Sequence, residues 1–261
     1  MNGNDVIVGI DGTPASDEAL RWAAAEATRT GSPLKVVIAA AHPGEWATLT
    51  VAAAVDCARA HRPGLQVTGR AVSGQPVDVL TGLAADAALV VVGSHGHTAL
   101  AAALRGATGA RVALRAPGRV VVVRGRIDAG EGPVAVGVDG SHTDNRLLAA
   151  AFEQAARRGC EVLAVRAVPG VAGQERADLL AELTDDLERW SRRYPTVPAF
   201  ARTPDLDPAA ALLDASGEAR LLVLGGRTHG PAAALLAGSV GQRLLYHAGC
   251  PLLIVHGGAR D

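Results

Sequence analysis

The sequence is poor in the residues that usually dominate a core. Its 261 residues include only two Phe, two Tyr, three Trp and one Met. Aromatic side chains bury the most area each, so Ala, Val and Leu must fill the interior through many smaller contacts. Cysteine is scarce as well: Cys57, Cys160 and Cys250 lie far apart, and none belongs to a C-x-x-C pair. That spacing excludes the usual zinc and redox motifs and suits a reducing, cytoplasmic compartment. Each thiol is expected to behave as a small buried hydrophobe. Excess charge is absent, with 25 Lys and Arg against 26 Asp and Glu and a net charge of −1. The basic residues form no long block, which argues against nucleic-acid or membrane binding driven by charge. No stretch reaches the roughly 18 uninterrupted apolar residues of a membrane span. The start, MNGNDVIVGID, reads directly as a strand rather than as a signal segment.

What the chain does have is a series of short β-branched runs that alternate with helical patterns. Val6–Ile10, Leu34–Ala40, Val67–Val72, Leu89–Val92 and Val120–Val123 read as strands. Between them fall a helix capped by Ser16 and ending at Gly31, a helix over Ala47–His61, and a short helix over Val77–Ala85 behind Pro76. Continuous apolar runs separated by helices predict a parallel sheet covered on both faces.

The polar, glycine-rich stretch Arg124–Pro133 then interrupts the pattern, and the pattern restarts. Val134 to Gly140 mirrors Val6 to Gly12. Further strands are expected at Glu161–Val168, Pro198–Arg202, Leu221–Leu224 and Leu252–Val255. Helices are expected at Leu147–Arg158, at Gln174–Tyr194 and from Asp207-Pro208 through Leu213. Leu179, Leu180, Leu183, Leu187 and Trp190 form an apolar stripe expected to face the core or a neighbouring domain. Two copies of one α/β unit, residues 1–127 and 133–261, account for the length.

The most informative stretch is Leu89 to Arg111, where a buried strand runs into glycines spaced Gly93-x2-Gly96-x9-Gly106 and then into a helical pattern. Glycine lets the backbone approach an anion, and the free N–H groups of a helix start point at it. A tight turn packing strand on helix explains the same glycines without a ligand. His95 and His97 form a His-x-His pair in this loop, but no nearby Cys, Asp or Glu completes a metal site. The stretch returns in altered form at Gly225 to Gln242. There Ser239-Val240-Gly241-Gln242 also reads as a capping box.

V-x-V-G-x-D-G at a strand end, Gly74-Gln75-Pro76 opening a helix, and A-x-L-V-V-V-G-S-H-G-H over residues 87–97 resemble the universal stress protein family in its tandem form. The resemblance implies two doubly wound five-stranded parallel sheets of order 3-2-1-4-5, of the adenine nucleotide alpha hydrolase-like type. It further implies that the two fifth strands pair edge to edge as an internal pseudo-dimer, and it is compatible with a homodimer of chains.

The ATP-binding branch of the family carries G-x2-G-x9-G-[S/T]. Gly93, Gly96 and Gly106 match it, with Ala107 in place of the hydroxyl residue and Thr108 one position later. In the second copy, Gly225, Gly238 and Ser239 match, with Thr228 at the second glycine. Asp11 with Gly12, and Asp139, resemble the family's adenosine-side aspartate. A turn role for Asp-Gly accounts for them equally well. Ala39 and Ala167 fall at the strand position whose backbone meets adenine in the family, and His97 has a counterpart in nucleotide-binding loops.

The function implied is an ATP-binding regulatory protein, with or without magnesium, that holds nucleotide preferentially in the first copy and acts through protein partners the sequence does not name. The alternative is an interaction module with degenerate pockets. Enzymatic function lacks support, since neither S-G-G-x-D-S nor G-x4-G-K-[S/T] is present.

Overall fold

The computed structural model describes residues 3–94, 108–127, 131–226 and 239–257. The chain divides into two units: Met1–Arg124 with His256–Asp261, and Gly125–Val255.

In the first unit the elements run β1 (Val6–Gly9), α1 (Pro14–Thr30), β2 (Leu34–Ala40), α2 (Glu45–His61), β3 (Val67–Ser73), α3 (Pro76–Ala84), β4 (Leu89–Gly93), α4 (Thr108–Arg115) and β5 (Arg119–Val123). The strands lie in the order β3-β2-β1-β4-β5, and every pairing is parallel. Val8, Val36, Val90, Val91 and Val120 are wholly buried, as strands covered on both faces require. Helix α1 packs on β1 and β4. It does so through Ala19, Ala23 and Ala27, all without exposed surface. Small side chains let the helix sit close to the sheet, which is how a core short of aromatics stays dense.

Helix α1 begins earlier than the pattern predicts. Pro14 occupies the first turn, where its fixed φ suits a helix and its missing N–H is no loss. The cap is therefore Thr13, whose Oγ1 accepts the Ser16 N–H at 3.3 Å, and not Ser16. The Ser16 hydroxyl instead donates back to the Thr13 carbonyl at 2.8 Å. Gly31, at φ 64°, closes the helix in the left-handed conformation.

The second unit repeats the design: β6 (Val134–Gly137), α5 (Asp144–Arg158), β7 (Val162–Val165), α6 (Gly173–Arg193), β8 (Ala199–Arg202), α7 (Pro208–Glu218), β9 (Leu221–Gly225), α8 (Ser239–His247) and β10 (Leu252–Val255). Its order is β8-β7-β6-β9-β10, again parallel throughout. Here the scarce aromatics are concentrated. Phe152 of α5 is wholly buried, 6.2 Å from the Trp190 ring and 5.8 Å from Tyr194, both from α6 and its end.

Two expectations are corrected. Cys250 is wholly buried, but Cys57 is exposed on α2 and Cys160 is half-buried at the end of α5. The helix period that buries Val51, Ala54, Val55 and Ala58 turns Cys57 outward. In the α6 stripe, Leu183 and Leu187 are buried, whereas Leu180, one turn earlier on the same face, is exposed. Among the described residues no helix is long and apolar enough to cross a membrane.

Gly93 and its counterpart Gly225 end equivalent strands in different surroundings. A Cβ on Gly93 would stand 2.5 Å from the Ala15 carbonyl oxygen, which is backbone and cannot move aside. Among the described residues, a Cβ on Gly225 would meet the Leu147 side chain at 3.5 Å. Gly93→Ala should therefore cost about 1–3 kcal/mol, and Gly225→Ala under about 1 kcal/mol. Urea denaturation midpoints measure both, and equal costs would contradict the packing described.

Candidate functional site

In the first unit the strand order reverses between β1 and β4, so the connections that leave their C-terminal ends run in opposite directions. Such a switch point leaves a crevice that neighbouring connections cannot fill. A cavity of about 240 Å³ lies at this place, lined by residues that include Asp11, Ala39, Gly93 and Thr108. These residues come from the turn after β1, the end of β2, the end of β4 and the start of α4. Four expected site residues that are distant in sequence thus share one cavity. Gly12 sits next to Asp11 at φ 77°, close to Thr50 of α2. Gly96, His97, Gly106 and Ala107 lie outside the described residues.

Sequence reasoning passed over several lining residues. Thr13 and Ser16 contribute hydroxyls from the start of α1, while Pro76 and Leu80 close one side from α3. Gly109 also lines the cavity. A Cβ there would stand 2.6 Å from the Gly93 carbonyl oxygen. Only glycine lets the N-terminal end of α4 approach the end of β4 this closely. The available signal was the short G-x-x-G of Gly106 and Gly109, which the longer family spacing obscures.

The walls divide by chemistry. Ile10, Val37, Ala39, Leu80 and Val92 form an apolar side. Asp11, Thr13, Ser16 and Thr108 supply the polar groups. Asp11 also does the work of a turn residue: its Oδ1 accepts the Thr13 N–H at 3.1 Å and the Thr13 hydroxyl at 2.6 Å. This holds the β1–α1 connection in shape, so a carboxylate is both anchored and presented to the cavity.

The second unit uses the same turn differently. Asp139 accepts the Ser141 N–H at 3.0 Å, in the manner of Asp11. The residue that follows at the position of Ser16 is Asp144. Its carboxylate is buried, and it accepts the N–H groups of Gly140 at 2.7 Å and Asp139 at 3.1 Å. Gly140, at φ 85°, carries the Arg166 guanidinium against it, and Arg166 is paired with Glu182 at 2.8 Å. Gly225 ends β9. Gly238 lies outside the described residues, as does the Ser239 side chain at the start of α8.

Burial raises the Asp144 carboxyl from 3.8 to about 6. The two backbone N–H groups oppose that rise, and the neighbouring Asp139 carboxylate adds to it. A carboxyl with a raised native pKa favours folding below its unfolded value, and this contribution is lost as pH rises through about 6. Between pH 7 and pH 4, wild-type stability should therefore gain on that of Asp144→Asn by about 1–3 kcal/mol. Thermal melts of both proteins across that range measure it. Parallel pH profiles would show that Asp144 is not held in this way.

Comparison with known proteins bears on the fold and the family. The model of the universal stress protein family matches residues 4–45, 38–124 and 132–256. A universal stress protein of Mycobacterium tuberculosis is 33% identical over 285 residues, covering 95% of this chain and 96% of that protein. One from Mycolicibacterium smegmatis is 31% identical, covering 96% of each. The crystal structure of a universal stress protein from Archaeoglobus fulgidus shares the fold, with a TM-score of 0.75 at 16% identity over 100% of this chain and 98% of that one. A further universal stress protein, matched by 46% of this chain at 29% identity and a TM-score of 0.41, was solved in complex with cAMP. With the family model spanning both units and tandem relatives aligned end to end, this chain belongs to the universal stress protein family.

Proposed function

We propose that this protein is an ATP-binding regulatory protein of the stress response that holds nucleotide in its first unit. The observation that carries this reading is the switch-point cavity, where Asp11, Ala39, Gly93 and Thr108 converge. Its volume of about 240 Å³ falls just below the roughly 300–1,000 Å³ of typical small-molecule sites. Such a space suits the base and sugar of a nucleotide, with the phosphates outside it.

The lining supports that division. The apolar side formed by Ile10, Val37, Ala39 and Leu80 is suited to a flat base, with the backbone of Ala39 at its edge. The Asp11 carboxylate can accept hydrogen bonds from sugar hydroxyls. The start of α4, brought in by Gly93 and Gly109, offers backbone N–H groups and the Thr108 hydroxyl to phosphate oxygens. Gly96, Gly106 and Ala107 belong to the same phosphate-binding pattern in the sequence. Among the described lining residues the one charged group is the Asp11 carboxylate, so magnesium would serve to offset phosphate charge.

Bound nucleotide would act here as a ligand that biases conformation or partner choice. No residue is assigned to bond breaking. The role in stress regulation, through protein partners and in the cytoplasm, rests on the family.

Protein denatured after purification and analysed by chromatography should release close to one ATP per chain, and calorimetric titration of the emptied protein should give one site. Asp11→Ala should weaken ATP binding about tenfold or more, through the loss of hydrogen bonds to a charged group. No released nucleotide and no heat at millimolar ATP would overturn the proposal in favour of an interaction module that takes no nucleotide. Two ATP per chain would overturn the preference for the first unit.

A further inference from the structure

Aligning Val6–Gly9 with Val134–Gly137 in sequence and strand register brings the two strand-to-helix turns into correspondence. Asp11 then matches Asp139, Gly12 matches Gly140, Ser16 matches Asp144 and Ile38 matches Arg166. The turns begin alike. Each first aspartate accepts the N–H two residues ahead, from Thr13 and from Ser141. Leu80 lies against Gly9 in one unit and Leu212 against Gly137 in the other, so the surrounding scaffold is also repeated.

Two differences bear on what the turn can hold. In the first unit, Ser16 and Asp11 line the cavity, and the Ser16 hydroxyl is turned back onto the Thr13 carbonyl. A small neutral side chain leaves the space beside the turn available. In the second unit the Asp144 carboxylate occupies the corresponding place. It accepts the Gly140 N–H at 2.7 Å and the Asp139 N–H at 3.1 Å, and it is almost entirely buried. Two successive N–H groups in a glycine turn make an anion-binding concavity. Here the chain supplies its own anion.

The second position adds to the effect. Ile38 in β2 is replaced by Arg166, whose guanidinium lies against Gly140 so closely that a Cβ on Gly140 would stand 2.5 Å from Nη2. Its charge is paired with Glu182 at 2.8 Å, so it does not stand as an uncompensated cation beside the turn. An incoming anionic nucleotide would meet filled N–H groups and a buried like charge beside this turn.

We propose that Asp144 is the residue that closes the second unit to anionic nucleotide, by seating its carboxylate on the Asp139 and Gly140 N–H groups. The proposal rests on the reading of the first unit's cavity as a nucleotide site. It assigns a specificity role to a residue that carries no motif signal. The two units of one chain would then be a ligand-binding copy and a self-occupied copy, distinguished at the start of one helix.

The test uses the full chain and ATP as probe, with backbone amide resonances followed by NMR. In the wild type, the Gly12 amide should move with ATP and the Gly140 amide should not. In Asp144→Ser, which installs the residue of the first unit, the Gly140 and Asp139 amides should shift saturably, and a second ATP should bind at least about tenfold more tightly than any second binding to the wild type. Asp144→Ala serves as an independent variant should the serine protein fail to fold, and circular dichroism verifies folding of both. A folded variant whose Gly140 amide ignores ATP at millimolar concentration overturns the proposal. So does a wild-type Gly140 amide that responds with Asp144 in place. A silent Gly12 amide would overturn the reading of the first unit instead, while the response at Gly140 would still decide the role of Asp144.

Discussion

The first unit depends on a meeting of three backbone segments at Gly93. The end of β4 passes so close to the start of α1 that a Cβ on Gly93 would overlap the Ala15 carbonyl, and α4 passes so close to Gly93 that Gly109 cannot carry one either. Backbone cannot yield as a side chain can, so both positions must be glycine for the chain to close here. The result is that two helix starts and a strand end converge on the place where the strand order reverses. That contact brings together the polar part of the cavity lining: Asp11 and Thr13 before α1, Ser16 within it, and Thr108 at the head of α4.

The same constraint explains the composition. Helices can approach a sheet this closely only when their inner faces are small, and α1 presents Ala19, Ala23 and Ala27 to β1 and β4. Alanine and valine give less buried area per residue than aromatics, but they pack at short range without voids. The second unit departs from this where α5 meets α6. Phe152, Trp190 and Tyr194 fill the wider gap there, and Trp190 donates its indole N–H to Asn145 at 3.1 Å. These three aromatics sit where helix meets helix, whereas Trp46, Phe200 and Tyr246 are exposed.

The two units also show how little is needed to alter a site on a repeated scaffold. Strand order, the aspartate turn and the leucine against the strand-end glycine are retained. Ser16 and Asp144 differ by one charge at one position, and that charge determines what the adjacent N–H groups face. A buried carboxylate must be hydrogen-bonded to be tolerated. Asp144 meets that requirement with backbone donors, the N–H groups of Asp139 and Gly140.

By itself the sequence determined the α/β class, the duplication and the strands, and it marked Asp11 and Gly93 at strand ends. Each of these leaves a local signal: continuous β-branched runs, glycine at strand ends, and a V-x-V-G-x-D-G pattern written twice. Tertiary structure alone decided what those residues share. That Gly109 is required, that Ser16 lines a cavity rather than capping a helix, that Cys57 faces outward, and that Asp144 sits on the Gly140 turn all depend on atoms brought together by the parallel crossovers. Asp144 has an ordinary acidic helix start as its local pattern, and nothing nearby in sequence marks its burial. The physical reason is one of range. Periodicity and turn chemistry act over a few residues, whereas burial, close backbone approach and the electrostatic surroundings of a carboxylate are set by segments distant in the chain.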